Sequence, residues 1–313
     1  ESPATQPRED ELAGDYRIRL AEELGVKPEC VGFLCGRATV PTSTELSRYG
    51  SEEILQVIVC PPDETICGWT VGMLLNELCV AGAKPTPSLA DERLAAVEIL
   101  QAEELKNAIQ KITSRALEEP KYFKQCADVV VALNARWPEL PSEAAAEGSE
   151  GEAQPKTFKG ELFGSLIKHF SVLRQLKPPQ EDAGKQDADA VEAAHCQRAL
   201  ALMAFFGQLF VRQVVDMNGL NGALHDLVGR DDNAPRDHQM ECAVELLNVA
   251  GPYLDAMPSG RTVMNHWLDR IFDIASWSEQ NHAGLFSQPV LQKAEDLITL
   301  RRRNWGKAVS GFA

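Results

Sequence analysis

The sequence has no apolar stretch long enough to cross a bilayer. Its longest nearly uncharged apolar run, residues 199–211, is bounded by Arg198 and Arg212 and suits a buried helix. Basic side chains are also scarce, because 31 lysines and arginines stand against 46 acidic residues, for a formal charge of −15. Since phosphate binding relies on basic clusters, this balance argues against a dedicated nucleic-acid-binding protein. A hydrophobic fraction of 44% excludes a chain that is disordered throughout.

The signatures of metal sites and of common enzymes are missing as well. The eight cysteines include no Cys-x-x-Cys pair, and their scatter is typical of reduced, buried thiols in a cytoplasmic protein, so we expect no metal and no cofactor. The sequence has no phosphate-binding loop, dinucleotide fingerprint, zinc-protease motif or serine-hydrolase motif. His195 and Cys196 are adjacent, but neighbours on a helix point in different directions and make a poor catalytic dyad. We therefore predict a protein that is not an enzyme, with an unrecognised helical enzyme as the alternative.

The pattern of residues 1–87 predicts a largely irregular N-terminal extension. Prolines recur along this segment up to Lys84-Pro85-Thr86-Pro87, and the apolar spacing is irregular apart from two short runs, 54–60 and 71–80. No segment alternates polar and apolar residues over a length comparable to the helical patterns, so we expect no sheet. The chain opens with Glu1 and without a signal or transit pattern, and we interpret it as a piece of a longer protein or as a processed one.

From Ser88 onward the apolar spacing becomes helical. Ser88 and Asp91 are spaced like a capping box, and eight amphipathic or buried stripes follow between residues 105 and 305. The sequence therefore predicts an all-α domain over residues 88–313. Consecutive helix pairs suit a helix bundle or a stacked α-solenoid, and periodicity alone leaves the two undecided.

Four segments of this region resemble the middle domain of eukaryotic translation initiation factor 4 gamma. The first, at residues 104–120, is a helix that ends in Ala-x-x-Glu-Pro, and the second, at 204–210, is a Phe-x-Gly-Glu-Leu-Phe segment in which Gln208 replaces the glutamate. The third, at 241–251, is a helix with Glu-Cys, Leu-Leu and Gly, and the fourth, at 300–305, is a closing Leu-Arg-x-x-Asn-Trp. The four segments occur in the same order as in the family. Any one match could arise by chance, whereas the ordered set is specific.

The resemblance implies a HEAT-type α-solenoid of antiparallel helix pairs. It also implies a non-enzymatic, cytoplasmic translation-initiation scaffold that binds the DEAD-box helicase initiation factor 4A. Such a scaffold speeds nucleotide cycling by stabilising helicase conformations in which the two lobes are nearly aligned. The alternative is a related adaptor in mRNA decay, splicing or nuclear cap binding.

A second resemblance lies upstream of the helical region. Residues 48–55, Arg-Tyr-Gly-Ser-Glu-Glu-Ile-Leu, resemble the recognition motif for the cap-binding initiation factor 4E, Tyr-x-x-x-x-Leu-Φ. The resemblance implies a short helix with Tyr49 as the aromatic anchor and with Ile54 and Leu55 as apolar contacts. The alternative is an amphipathic helix that packs on the extension's own apolar residues.

A basic concentration lies near the C-terminus of the sequence. It consists of Arg301, Arg302, Arg303 and Lys307, with Trp305 between them. On a helix, Arg303 and Lys307 share a face and the tryptophan offers a stacking surface, which predicts weak, salt-sensitive contact with mRNA. The alternative is a solvated helix end whose cations favour the helix dipole and whose tryptophan packs inward.

Overall fold

The computed structural model describes residues 11–35, 38–40, 43–46, 55–60, 65–80, 102–137, 157–174, 185–229, 235–280 and 286–307. Within these ranges the chain forms ten α-helices and three short strands. The helices are α1 (Ala13–Leu24), α2 (Ile66–Val80), α3 (Ala102–Glu118), α4 (Phe123–Arg136), α5 (Phe158–Arg174), α6 (Lys185–Val211), α7 (Met217–Leu224), α8 (Asp237–Ala256), α9 (Pro258–Gln280) and α10 (Gln288–Arg302). The strands are β1 (Val31–Cys35), β2 (Ala38–Thr39) and β3 (Leu55–Val59).

The prediction of an all-α domain after the extension is confirmed, and α3 shows why the apolar spacing predicted it. Leu105, Ile109, Ile112 and Ala116 occur at helical spacing, and each is at most 2% exposed. One stripe of the helix is therefore fully removed from water, which stabilises a helix more than intrinsic propensity does. Pro120 ends the pattern because a proline interrupts helical hydrogen bonding. Among the described residues, no helix is both long and apolar enough to cross a membrane.

The chain divides into two compact units. The first comprises residues 1–115 and 128–167, and the second comprises residues 116–127 and 168–313. In the second unit, α8 is the central helix, because it packs against α6, α9 and α10. Gly207 on α6 lies where a β-carbon would overlap Val249 on α8, so the absence of a side chain allows these two helices to approach closely.

The extension contains more regular structure than its sequence indicated, and the expectation of no sheet is wrong for residues 31–59. Here β1 is the middle strand of a small antiparallel sheet with the order β2-β1-β3. Helix α1 packs on this sheet, and the ring of Tyr16 stacks on Phe33 with centroids 5.1 Å apart. The strands have two to five residues, too short for alternation to be recognised in the sequence, and they are stabilised by pairing and by α1 instead.

The described part of the extension also contacts the first helix of the helical region, within the first unit. Arg17 on α1 donates one hydrogen bond to the Pro28 carbonyl at 2.5 Å and another to the carboxylate of Glu104 on α3 at 3.3 Å. The Glu104 side chain is 1% exposed and that of Arg17 is 12% exposed, so the ion pair is buried. Gly68 on α2 approaches Asn107 on α3 closely. Helix α3 is therefore contacted by α1 and α2, two helices of the extension that precede it in the sequence.

Candidate functional site

The structure does not place the residues proposed to bind the cap-binding protein as a group. Tyr49 and Ile54 lie outside the described residues. The backbone of Leu55 begins strand β3, where it is paired with Cys35. The binding motif therefore stays a prediction, but the expected short helix does not extend to Leu55, which is the first residue of a strand.

At the C-terminal end of α10, the predicted RNA-binding residues separate into two groups. Arg301 donates two hydrogen bonds to the carboxylate of Asp255 on α8, at 2.8 and 2.9 Å, so its guanidinium faces the protein. Arg302 and Arg303 are exposed to solvent. Lys307 belongs to the turn 304–307, and its side chain lies outside the described part of the chain. The two exposed arginines are therefore the ones available to a partner.

Trp305 packs inward, as in the alternative interpretation of this segment. Its side chain is 4% exposed, and its indole Nε1 donates a hydrogen bond to Asp255 at 2.9 Å. The ring lies against Gly251, where a methyl group would overlap it. A glycine is thus required at 251 for the tryptophan to lie flat on α8, and the indole is unavailable for stacking on a base.

The tertiary structure brings three of the four segments of the sequence resemblance together in the second unit. Gly207 of the segment 204–210 lies against α8, and Gly251 and Asp255 of α8 lie against the closing segment. A further ion pair joins α8 to α10 between Glu241 and Lys293 at 2.7 Å. The residues that make up these segments are therefore packing residues of three adjacent helices. Sequence reasoning missed Asp255, because its partners Arg301 and Trp305 lie 46 and 50 residues away and leave no local pattern.

Asp255 has the electrostatics of a partly buried, hydrogen-bonded carboxylate. Burial raises its pKa, but the hydrogen bonds from Arg301 and Trp305, together with the charges of Arg301 and Arg261, hold the pKa below its ordinary value of 3.8. A carboxyl group whose pKa is lower in the folded state than in the unfolded state stabilises the fold at pH values above its unfolded-state pKa. This stabilisation is lost as the pH falls through its folded-state pKa.

We expect the Asp255→Asn variant to be less stable than the wild type at neutral pH and to approach it in acid. The amide accepts weaker hydrogen bonds from Arg301, and it does not titrate. The difference in free energy of unfolding between the two proteins should shrink as the pH falls from about 5 to about 3. Urea unfolding followed by circular dichroism over this range measures the difference, and a constant difference would contradict the assignment.

The cysteines and histidines show the chemistry of packed residues. The described residues contain no group of three or more His, Cys, Asp or Glu side chains arranged to hold a metal ion. Burial raises the pKa of Cys196, and it raises the pKa of Cys242 to about 12, so both thiols are protonated at neutral pH. Burial also lowers the pKa of His169 and His238 and favours their neutral forms. Cys242 and His238 do line a small cleft, together with Phe170, Ala199, Met203, Leu227 and Gln239.

The described helices, packed on one another through long buried stripes, define an all-α domain. A family model described as the MIF4G domain matches residues 73–304, and the chain belongs to the MIF4G domain family. MIF4G is a family of helical, solenoid-like scaffold domains. The match begins inside α2, so the small sheet and α1 precede it.

Among curated proteins, the chain is similar to eukaryotic translation initiation factor 4 gamma 2 from human, mouse and cattle. In each case the two sequences are 22% identical over 207 residues. The aligned region covers 64% of this chain but only 22% of each relative. The chain thus spans about a fifth of the length of these relatives, and the similarity supports an initiation-type scaffold domain.

Proposed function

We propose that this chain is a translation-initiation scaffold that binds the DEAD-box RNA helicase initiation factor 4A and stimulates it in the cytoplasm. The observation that carries the proposal is the MIF4G match over residues 73–304, supported by the similarity to proteins named as initiation factors. The packing of the matching segments on α6, α8 and α10 supports it further, because a rigid array of helices can present a fixed surface to a partner.

The proposed mechanism depends on a difference in the scaffold's affinity for different conformations of the helicase. A helicase of two lobes exchanges between open conformations and conformations with the lobes nearly aligned. A scaffold that contacts both lobes shifts this equilibrium by the ratio of its affinities for the aligned and the open conformations. It then accelerates nucleotide cycling without contributing a catalytic group of its own.

The proposal assigns different tasks to the two parts of the chain. Residues 1–87 would carry the recognition motif for the cap-binding initiation factor 4E at 48–55, and residues 88–313 would carry the helicase-binding domain. The cap-bound partner and the helicase would then be held on one chain, with weak contact to mRNA through the C-terminal arginines. The linkage would raise the effective concentration of the helicase near the cap-bound partner.

The helicase proposal predicts that titrating the chain into initiation factor 4A gives a saturable acceleration of the RNA-stimulated ATPase rate. The physical reason is the population shift described above, which reaches a limit when all of the helicase is bound. The control is an unrelated acidic protein at the same concentrations. If a chain shown to be folded by circular dichroism leaves the rate unchanged, the partner is a different one, as in a decay, splicing or nuclear cap-binding adaptor.

The cap-binding proposal predicts that Tyr49→Ala and Leu55→Ala each reduce the capture of initiation factor 4E by at least about tenfold. A buried aromatic anchor and an apolar contact usually account for most of the affinity of such a short recognition segment. The measurement is pull-down on immobilised factor 4E, with Phe272→Ala as a control because that side chain is 58% exposed on a helix of the second unit. Equal capture of the wild type and the Tyr49 variant would remove the motif from the proposal.

A further inference from the structure

The small sheet of the extension has two edge strands, and they differ in how they are protected. Strand β2 has only two residues, and it is followed in the sequence by Val40 and Pro41. Strand β3 has five residues, Leu-Gln-Val-Ile-Val, without a charged side chain or a proline, and its pairing with β1 is unbroken by a bulge. Edge strands are usually protected by shortness, lysine, proline or a bulge, because an exposed edge pairs readily with another chain. Strand β3 has none of these features.

The backbone of β3 directs part of its hydrogen-bonding capacity away from the sheet. The Cys60 N–H donates to the opposite carbonyl of Cys30 at 2.7 Å, so these two residues form a hydrogen-bonded pair. Because hydrogen-bonded and non-hydrogen-bonded pairs alternate along an antiparallel ladder, Val59 and Val57 belong to non-hydrogen-bonded pairs. The carbonyl of Phe33, opposite Val57, accordingly accepts a hydrogen bond from the residue that follows β2. The N–H and C=O groups of Val57 and Val59 therefore point away from β1.

The side chains along this edge are apolar and only half covered. Among the described residues, none pairs with the outer side of β3. Val57 and Val59 are 47% and 46% exposed, whereas their partners on β1, Phe33 and Val31, are 3% and 0% exposed. Residues directly opposite each other in a ladder lie on the same face of the sheet, so the apolar face buried at β1 continues, half exposed, onto β3. A further strand beside β3 would cover both valines and pair with their backbone groups.

The neighbours of β3 in the sequence are acidic on both sides. Glu52 and Glu53 precede the strand, Asp63 and Glu64 follow it, and no lysine or arginine occurs between residues 48 and 84. If a second copy of the chain paired antiparallel through β3, the acidic residues before one strand would lie near those after the other, and like charges repel. A strand with basic residues at both of its ends is attracted in either direction.

We propose that the outer edge of β3 binds an extended, apolar segment of a partner protein, flanked by basic residues, as a further strand of the sheet. The main-chain groups of Val57 and Val59 supply the hydrogen bonds, and their side chains select apolar residues at alternate positions of the segment. The acidic neighbours of β3 select the basic flanks. This inference goes beyond the proposed function, because the sheet precedes the residues that the family model matches and both valines lie outside the motif at residues 48–55.

The probe is a labelled peptide, Lys-Lys-Val-Thr-Val-Thr-Val-Lys-Lys, whose binding to the full chain is measured by fluorescence anisotropy. A peptide of the same charge, with proline in place of the central valine, cannot complete the ladder and should bind at least about tenfold more weakly. A peptide with glutamates in place of the lysines should also bind at least about tenfold more weakly. The proposal is overturned if the valine peptide does not bind, or if the proline peptide binds equally well, because charge alone then attracts it.

A variant of the chain removes the outward donor itself. Val57→Pro lacks the N–H that points away from β1 and keeps the hydrogen bonds between β1 and β3, so it should weaken binding of the valine peptide by at least about tenfold. The matched control is Val57→Thr, which keeps the donor and the β-branched shape and should stay within about threefold of the wild type. Equal affinity of the proline variant and the wild type would contradict the proposal.

Hydrogen exchange of individual amides, followed by NMR, tests the same edge in the wild-type chain and needs no variant. In the chain alone, the amides of Gln56 and Ile58 should be protected by β1, and those of Val57 and Val59 should exchange rapidly. The valine peptide should slow exchange at both valines by at least about tenfold. Protection of both valines before the peptide is added would overturn the proposal. If that protection rose with protein concentration, the edge would belong to a second copy, and otherwise to another segment of this chain.

Discussion

Replacing Trp305 with alanine should lower the free energy of unfolding by about 3–5 kcal/mol, the range measured for large aromatic residues in protein cores. The indole is almost fully buried against Gly251, and it donates a hydrogen bond to Asp255. Its loss leaves a cavity between α8 and α10 and removes one of the partners of the buried carboxylate. Urea unfolding followed by circular dichroism measures the change.

Two further variants separate packing from hydrogen bonding at this position. Trp305→Phe retains most of the buried surface and loses the Nε1 donor, so the expected loss is smaller, about 1–3 kcal/mol. Phe272→Ala truncates an aromatic residue that is 58% exposed, and its effect should be within about 0.5 kcal/mol. If Trp305→Ala is as mild as Phe272→Ala, the segment 303–307 does not hold α10 against α8.

Replacing Arg17 with methionine should lower the free energy of unfolding by about 3–5 kcal/mol, because it removes the guanidinium that pairs with the buried carboxylate of Glu104. Glu104 is 1% exposed, so water cannot replace the lost partner at little cost. The variant also removes the hydrogen bond to the Pro28 carbonyl, which helps to hold the extension together. The effect should appear in the unfolding of the helical domain itself, since Glu104 lies on α3.

The matched control is Lys106→Met, which removes the cation of an exposed ion pair on the same helix. Its partner Glu103 is 57% exposed, so the expected change is below about 0.5 kcal/mol. The double variant Arg17→Met/Glu104→Met should recover most of the loss, because no unpaired charge then stays buried. Equal effects of Arg17→Met and Lys106→Met would show that the extension does not depend on this contact.

The helical domain could be predicted from the sequence because its signals are local. The apolar residues from Leu105 to Ala116 repeat at the helical period, and Pro120 ends the pattern. Both the helix and its end can therefore be predicted from neighbouring residues alone. The small sheet could not be predicted in the same way. β1 and β3 have five residues each, and they exist because Phe33 is covered by Tyr16 and paired with Val57 across the strands.

At the candidate site, too, some features are visible in the sequence and others depend on tertiary contacts. The cluster from Arg301 to Arg303 is visible in the sequence, but the sequence does not distinguish the arginine that binds Asp255 from the two that face solvent. The hydrogen bond from Arg212 to the Lys124 carbonyl likewise joins residues that are 88 positions apart in the sequence. No local sequence pattern predicts a contact between residues so far apart in the chain.

By itself, the sequence determined the helices after residue 88, their order and the family, since hydrophobic periodicity and short motifs depend only on neighbours along the chain. The tertiary structure decided which charged and aromatic residues are used internally and which are presented to a partner. It buried Trp305 and Glu104, and it left Arg302 and Arg303 exposed. The physical reason is that burial and ion pairing are decided by contacts between distant segments, and these exist only after the helices have packed.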